Sequence, residues 1–337
     1  MIGWLTFKII VRDHESMASS IPSRSKVAQI LGKYSIASVR SWLRRKGLSA
    51  TMNSRDAMTT KVHELVEKEK LTEDDLIEGA IGIEEASAKR VYLYRISTST
   101  ADLKKIDAQL ATLKVPLVAA RTPSVSPTPT SKLMYAMNTD SAFRAKWNEQ
   151  HTRIKVDKKH QQFVPVKEPK IIVLIVDKKT GLVQIRYDKP ADKHLHEVNG
   201  EPKAQAYFDF YKEQAENLLG LSLKPIELRT GLEKTLKKVP PVVSVVHVVD
   251  EDEEGIQSKR TQKKIGKDLR DTKAWNQMMQ DPMVRTYEEA PLRWKHGMTG
   301  GKLTREVFSN VDAANGQVRF DAHCSEEEID YVLAQLV

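Results

Sequence analysis

Between Ile21 and Ile96 the chain repeats one pattern: a capping residue, apolar residues three or four apart, then a stop. A period of 3.6 residues builds helices. Pro22 and Ser23 open the first, with Val27, Ile30, Leu31 and Tyr34 on its buried face. Ser35 caps the second, whose stripe is Ile36, Val39, Trp42 and Leu43 and which Gly47 ends. Ser54 caps a third that buries Met58, Val62, Leu65 and Val66. Thr72 and Asp75 form a capping box before Leu76, Ile77, Ala80 and Ile81. A fifth helix is predicted over 84–96, carrying Val91, Leu93, Tyr94 and Ile96. Five short helices with brief loops make a compact all-helical bundle.

The charges in this stretch are sorted by position. From Ile21 to Arg55 every charged residue is basic: Arg24, Lys26, Lys33, Arg40, Arg44, Arg45, Lys46 and Arg55. From Asp56 to Glu85 the acids Asp56, Glu64, Glu67, Glu69, Glu73, Asp74, Asp75, Glu78, Glu84 and Glu85 outnumber Lys61, Lys68 and Lys70. This pattern predicts one electropositive side, which suits a polyanion such as nucleic acid. The plainer reading is a set of solvated helix faces. The chain's net charge of +9 favours the first.

Beyond the bundle, a helix is predicted over 101–113. The stretch 116–131 is rich in Pro, Ser and Thr, which cannot form a core, and reads as a linker and domain boundary. A helix is expected at 140–150. The period then turns to strands. His151–Asp157 alternates, Ile171–Val176 is an unbroken apolar run, and Lys178–Gly181 is a hairpin turn before the partner strand Leu182–Tyr187. Further helices are read at 202–219, 231–237 and 259–280, and strands at 225–228 and 242–249, the latter followed by an acidic turn at 250–254. A long hairpin covers 284–308, a strand 317–322, and Ser325 caps a last helix, Glu326–Leu336. The fold class is α+β: an N-terminal helical bundle, then a domain with a mainly antiparallel sheet. The expected division is a disordered tail at 1–20, the helical domain at 21–96, a helix and linker at 97–137, and the α+β domain at 138–337.

One cysteine, Cys324, rules out an intrachain disulfide and points to a reducing compartment and a buried structural thiol. No apolar run reaches the roughly 20 residues that span a bilayer, and no membrane role is expected. His296–Thr304, HGMTGGKLT, resembles a phosphate loop but fails its spacing, with Leu303 where Ser or Thr belongs and strands on both sides. His194 and His196 lack a third ligand at useful spacing, and the acidic run 250–254 lacks the order of a calcium loop. No nucleophile elbow, carboxylate pair or dinucleotide fingerprint is present, so no enzyme, cofactor or metal site is expected.

Several segments in order carry a resemblance. These are Thr60–Lys68, Leu71–Leu76, Arg90–Tyr94, Glu168–Val173, Ile226–Arg229 and, above all, Pro282–Arg305. Together they resemble the centromere protein N (CENP-N) family of the inner kinetochore over most of 22–337, with Tyr92 where the family has Trp. The resemblance implies a pyrin-like helical domain followed by an α+β domain. It implies nuclear, centromeric localisation, binding to centromeric nucleosomes and DNA, pairing with a CENP-L-like subunit, and contact with other inner-kinetochore subunits during chromosome segregation. Candidate DNA contacts are Lys26, Lys33, Arg55 and Arg90, the run Arg44, Arg45 and Lys46, and Lys203 and Arg229 in the second domain. Candidate partner contacts are Arg285, Arg293 and Trp294 on the 284–308 hairpin, whose edge is expected to accept a second chain. The first helix departs from the family in holding no Asp or Glu, which leaves Asp13 or Glu15 for any direct reading of the histone variant. The rivals are a protein–protein adaptor that does not bind DNA and a DNA-processing enzyme.

Overall fold

A computed structural model describes residues 21–124, 130–157, 162–188, 203–238, 241–252, 257–261, 267–280 and 285–337. The expected tail at 1–20, with Asp13 and Glu15, and the His194–His196 pair lie outside the described residues. The N-terminal helices are α1 (Arg24–Leu31), α2 (Ile36–Arg45), α3 (Arg55–Glu67) and α4 (Glu73–Ala86). Ser23, Ser35 and Ser54 accept the amides their caps require, and Thr72 and Asp75 form the capping box. Val27, Leu31, Val39, Leu43, Met58, Val62 and Leu76 are buried together. A Cβ on Gly79 would come within 2.4 Å of the Trp42 indole, so the bare backbone is what lets α2 and α4 approach.

The predicted fifth helix is not formed. α4 ends at Ala86, and β1 (Lys89–Arg95) runs on as a strand deep in the sheet. Val91 and Leu93 face one core while Tyr92 and Tyr94 face another. A short run apolar on both parities suits a strand buried on two faces as well as it suits a helix. The helical region therefore stops near Ala86 rather than at 96.

Next come α5 (Thr100–Thr112), β2 (Lys132–Asn138), β3 (Ala142–Asp157), β4 (Gln162–Asp177), β5 (Leu182–Asp188), α6 (Lys203–Leu219), β6 (Lys224–Pro225) and α7 (Arg229–Lys237). After them lie β7 (Val243–Val245), β8 (His247–Asp252), β9 (Gln257–Thr261), α8 (Lys273–Gln280), β10 (Arg285–Trp294), β11 (Val307–Asp312), β12 (Gln317–Phe320) and α9 (Glu326–Leu336). The expected helix at 140–150 is strand β3. The expected helix at 259–280 is β9, a 3-10 turn at Leu269–Asp271 and α8, with 262–266 outside the described residues.

The strands join one antiparallel sheet in the order β2-β3-β4-β5-β1-β12-β11-β10-β8-β9, with β6 on β1 and β7 on β10. The fold is α+β, dominated by this sheet. α5 and α6 cover one face over β1 to β5 through Ile106, Leu110, Phe208, Tyr211 and Leu219. α7 and α9 cover the opposite face over β1 and β10 to β12 through Leu232, Leu236, Ile329 and Val332. The hairpin predicted at 284–308 exists as β10 and β11, but it offers no open edge. β8 and β7 pair with β10 on its other side, and β12 pairs with β11.

Candidate functional site

The sorted charges of the helical region fold back on themselves. α1 packs on α3 and α4, and α2 packs on α4, so the basic half meets the acidic half. Lys26 pairs with Glu73 at 2.5 Å, Lys33 with Glu84 at 2.8 Å, Arg24 with Asp56 and Lys46 with Asp75. Lys46, with the Thr72 cap, holds the Asp75 carboxyl below its usual range. Arg55 donates to the Gly32 carbonyl at the end of α1. Four of the eight cations expected to form an electropositive side, Arg24, Lys26, Lys33 and Lys46, are thus paired with acids in space. Sequence order separates charges that helix packing brings together.

A different grouping forms at the far end of α2. Arg45 (3.1 Å) and Arg305 (2.5 Å) both donate to the His323 carbonyl. Arg45, Lys46 and Lys302 line one cleft of about 560 Å³ with Arg121, Glu78 and Glu326 to Glu328. Arg44 and Lys302 are exposed. The glycine-rich turn set aside as a phosphate loop thus lies beside the basic end of α2. Its two positive-φ residues, Gly300 and Gly301, make the turn possible.

The remaining candidates are scattered. Arg90 lies on β1 opposite Arg319, its Nε buried without a hydrogen-bond partner. Arg229 is held by Glu288 at 2.8 Å, with Glu227 beside it, and Glu288 keeps its guanidinium protonated beyond the usual range. Lys203 begins α6 and Arg285 begins β10, and both side chains lie outside the described residues. Trp294 is wholly buried and donates to the Ser309 hydroxyl at 2.9 Å, so it cannot meet a partner without unfolding the sheet. Arg293 is half-buried on β10, between Ser244 and Phe308.

The densest chemistry is one that sequence reasoning missed. Where α4 and α9 meet the sheet, Lys146 Nζ contacts Glu84 at 2.5 Å and Glu85 at 3.4 Å, and both acids are buried. Arg144 contacts Glu85 at 2.5 Å and also Glu326; Arg186 contacts Asp330 at 2.6 Å, and Lys89 contacts Asp188 at 2.6 Å. Tyr34 and Tyr135 donate to Glu84 and Glu85. Burial alone would raise the Glu84 carboxyl, but Lys146 and Lys33 hold it at about 2. Burial likewise pushes the Cys324 thiol up to about 12, which leaves it inert at neutral pH.

The Pro/Ser/Thr stretch enters this junction. Arg121 reaches Glu78, Glu85 and Glu326; the Thr122 carbonyl accepts from Lys146; and the Ser124 amide and hydroxyl donate to Glu84 at 2.8 and 2.9 Å. Far from a free linker, its described part is a strap tied across bundle and sheet; 125–129 lie outside the described residues. Perturbed buried charges often mark active sites, but here they are matched in pairs, which is also what a structural junction produces. Among the described residues, no three His, Cys, Asp or Glu are placed to hold a metal ion. Among the described residues, no helix is long and apolar enough to cross a membrane.

The signal for this junction lies in β3. Phe143, Ala145 and Trp147 alternate with Arg144, Lys146 and Asn148; Arg144 and Lys146 reach the α4 acids Glu85 and Glu84, and Asn148 is buried. No protein-family model and no curated protein matches this chain.

Proposed function

We propose that this chain is a non-enzymatic DNA-binding scaffold of the inner kinetochore, similar to the CENP-N family, acting at nuclear centromeres. On this reading it grips nucleosomal DNA and pairs with a CENP-L-like subunit, and its helical bundle is the family's pyrin-like domain. The observation that carries the reading is the meeting of cations from two distant stretches at one cleft. Arg45 and Lys46 come from the bundle and Lys302 from the sheet's glycine-rich turn, with Arg305 meeting Arg45 nearby on the His323 carbonyl. A surface shared by both parts is what gripping one phosphate backbone requires, and the net charge of +9 supports it. Four acids share the rim, so the exposed Arg44 and Lys302 are the residues free to lead.

The test is a triple variant, Arg44→Glu, Lys46→Glu and Lys302→Glu, titrated with duplex DNA and nucleosomes over a salt series. Affinity should fall strongly, with the log–log salt slope shrinking by about one unit per lost phosphate contact. Unchanged affinity and slope would sink the reading. Arg45 is left intact because it holds the His323 carbonyl. Pairing with the CENP-L-like subunit should weaken in Arg293→Glu with the melting temperature unchanged; full co-purification at low micromolar concentration would place the partner surface elsewhere. The adaptor reading draws on the internal neutralisation of α1 to α4, which leaves mixed charges suited to a protein partner. A chain that binds no DNA at low salt would favour it.

A further inference from the structure

The strap across the junction carries a feature that its anchoring does not use. Thr122, Ser126 and Thr128 are each followed by proline, and no other Ser or Thr of the chain is. Ser126 and Thr128 lie outside the described residues; Thr122 does not. Thr122 is exposed, in a stretch without regular secondary structure. Lys146 holds its backbone carbonyl at 3.1 Å, but its hydroxyl has no hydrogen-bond partner among the described residues. Ser124, two residues on, is the contrast, since its amide and hydroxyl both donate to the buried Glu84. Pro123 brings no amide hydrogen and biases Thr122 toward extended backbone. An exposed, extended, unpartnered hydroxyl before proline is the acceptor that a proline-directed protein kinase takes.

The effect of a phosphate at this place follows from Arg121. The Arg121 guanidinium lies 2.9 Å from Glu326, 3.2 Å from Glu78 and 3.5 Å from Glu85. It lines the cleft that also holds Arg45, Lys46 and Lys302. A phosphothreonine carries a charge of about −1.5 to −2 at neutral pH. One residue from Arg121, that charge lies on the order of a Debye length from the cleft, roughly 10 Å. The rim already holds Glu78 and Glu326 to Glu328, so the added charge turns its balance acidic. A dianion also attracts a guanidinium more than a monoanionic carboxylate does, and a phosphate can accept it bidentately. Arg121 drawn to the phosphate releases Glu78 at the cleft mouth, where the Glu78 side chain is 62% exposed.

We infer that Thr122 is the acceptor of an ATP-dependent, proline-directed protein kinase, and that its phosphate turns the α2 cleft away from DNA. The Thr122 hydroxyl oxygen bonds to the γ-phosphorus of ATP, and the bond from that phosphorus to the β,γ-bridging oxygen breaks. ADP leaves, and the hydroxyl proton passes to a base of the kinase. The modification site stands on the strap alone, while its effect on binding rests on the DNA-binding reading above.

The experiment uses the full chain with Ser126→Ala and Thr128→Ala, which leaves Thr122 as the one acceptor before proline. It is incubated with a cyclin-dependent kinase, magnesium and ATP. Mass spectrometry should find one added phosphoryl group at Thr122, and none in a further variant carrying Thr122→Ala. The phosphorylated chain should bind duplex DNA about tenfold more weakly at low salt. Its log–log salt slope should be smaller by about one to two units, because the dianion offsets one or two cations. The unphosphorylated Thr122→Ala variant should bind as its parent does. If the kinase modifies a Thr-Pro control peptide but not Thr122, the modification site is overturned. If Thr122 is phosphorylated while affinity and slope stay unchanged, the switch is overturned and the DNA reading stands. If the unmodified chain binds no DNA, the DNA reading itself fails and takes the switch with it. If affinity falls together with the cooperative melting transition, the phosphate unfolds the junction, and the inference is also overturned.

Discussion

Glu84 illustrates how one residue can be held against its own desolvation. Its carboxyl is buried, yet Lys146 and Lys33 depress it to about 2 in the folded chain, against 4.5 ordinarily. A carboxyl depressed by folding adds stability that is fully present above the unfolded value and is lost as pH falls through the folded one. Glu84 should therefore contribute to an acid limb between about pH 4.5 and 2, which Glu84→Gln flattens in denaturant titrations at several pH values. Asp330 works in the opposite sense, because burial outweighs Arg186 and raises its carboxyl. Lys146→Met leaves two buried acids short of a partner and should cost about 3–5 kcal/mol. Combined with Glu84→Gln it should cost less than the sum, since the two changes remove one shared interaction. Strict additivity would show that Lys146 and Glu84 are not coupled. At Gly79 a methyl has no room against Trp42, so Gly79→Ala should destabilise by about 1–3 kcal/mol through overpacking. An unchanged melting temperature would mean that the α2–α4 contact is looser than described.

Elements were legible in the sequence where local chemistry decides them. The Ser23, Ser35, Ser54, Thr72 and Ser325 caps, the Gly181 turn and the Gly47 stop stand where the residues place them. Elements were misread where partners decide. β1 is apolar on both parities because two cores flank it, and β3 alternates charge with apolar residues because its polar face meets helices. The charge sorting is only partly carried into space for the same reason, since only packing reveals that Lys26 meets Glu73 while Arg44 stays exposed. The strap was misread because Pro, Ser and Thr report only the absence of a core, while its anchors lie in α4, α9 and β3. Arg121→Ala removes contacts to three acids on two elements. Protease cleavage between Leu117 and Ser131 should then be several-fold faster, as local opening becomes easier. Equal cleavage rates in wild type and variant would show that Arg121 does not anchor the strap.

At the scale of the molecule, the division expected from the sequence is a helical unit joined by a linker to a sheet unit. The pairing suggests another behaviour. β1, which follows α4 directly, lies between β5 and β12, and so joins the early strands to the C-terminal ones. The bundle is further fastened by buried ion pairs from Glu84 and Glu85 to β3, and Ser38 and Ser87 reach the His323 ring from α2 and the end of α4. Buried pairs add little net stability but penalise separation, because undocking leaves charges without partners while they lose the low-dielectric contact. Removing 21–86 would strip Glu84 and Glu85 from Arg144 and Lys146, leaving Arg144 with Glu326 alone and Lys146 with no carboxylate. The full chain should therefore unfold in one cooperative calorimetric transition, with calorimetric and van't Hoff enthalpies equal. A fragment of 87–337 should expose hydrophobic surface and aggregate rather than fold. Two resolved transitions, or a soluble 87–337 fragment with the melting temperature of the whole chain, would restore the two-domain division and make the junction a docking contact rather than a weld.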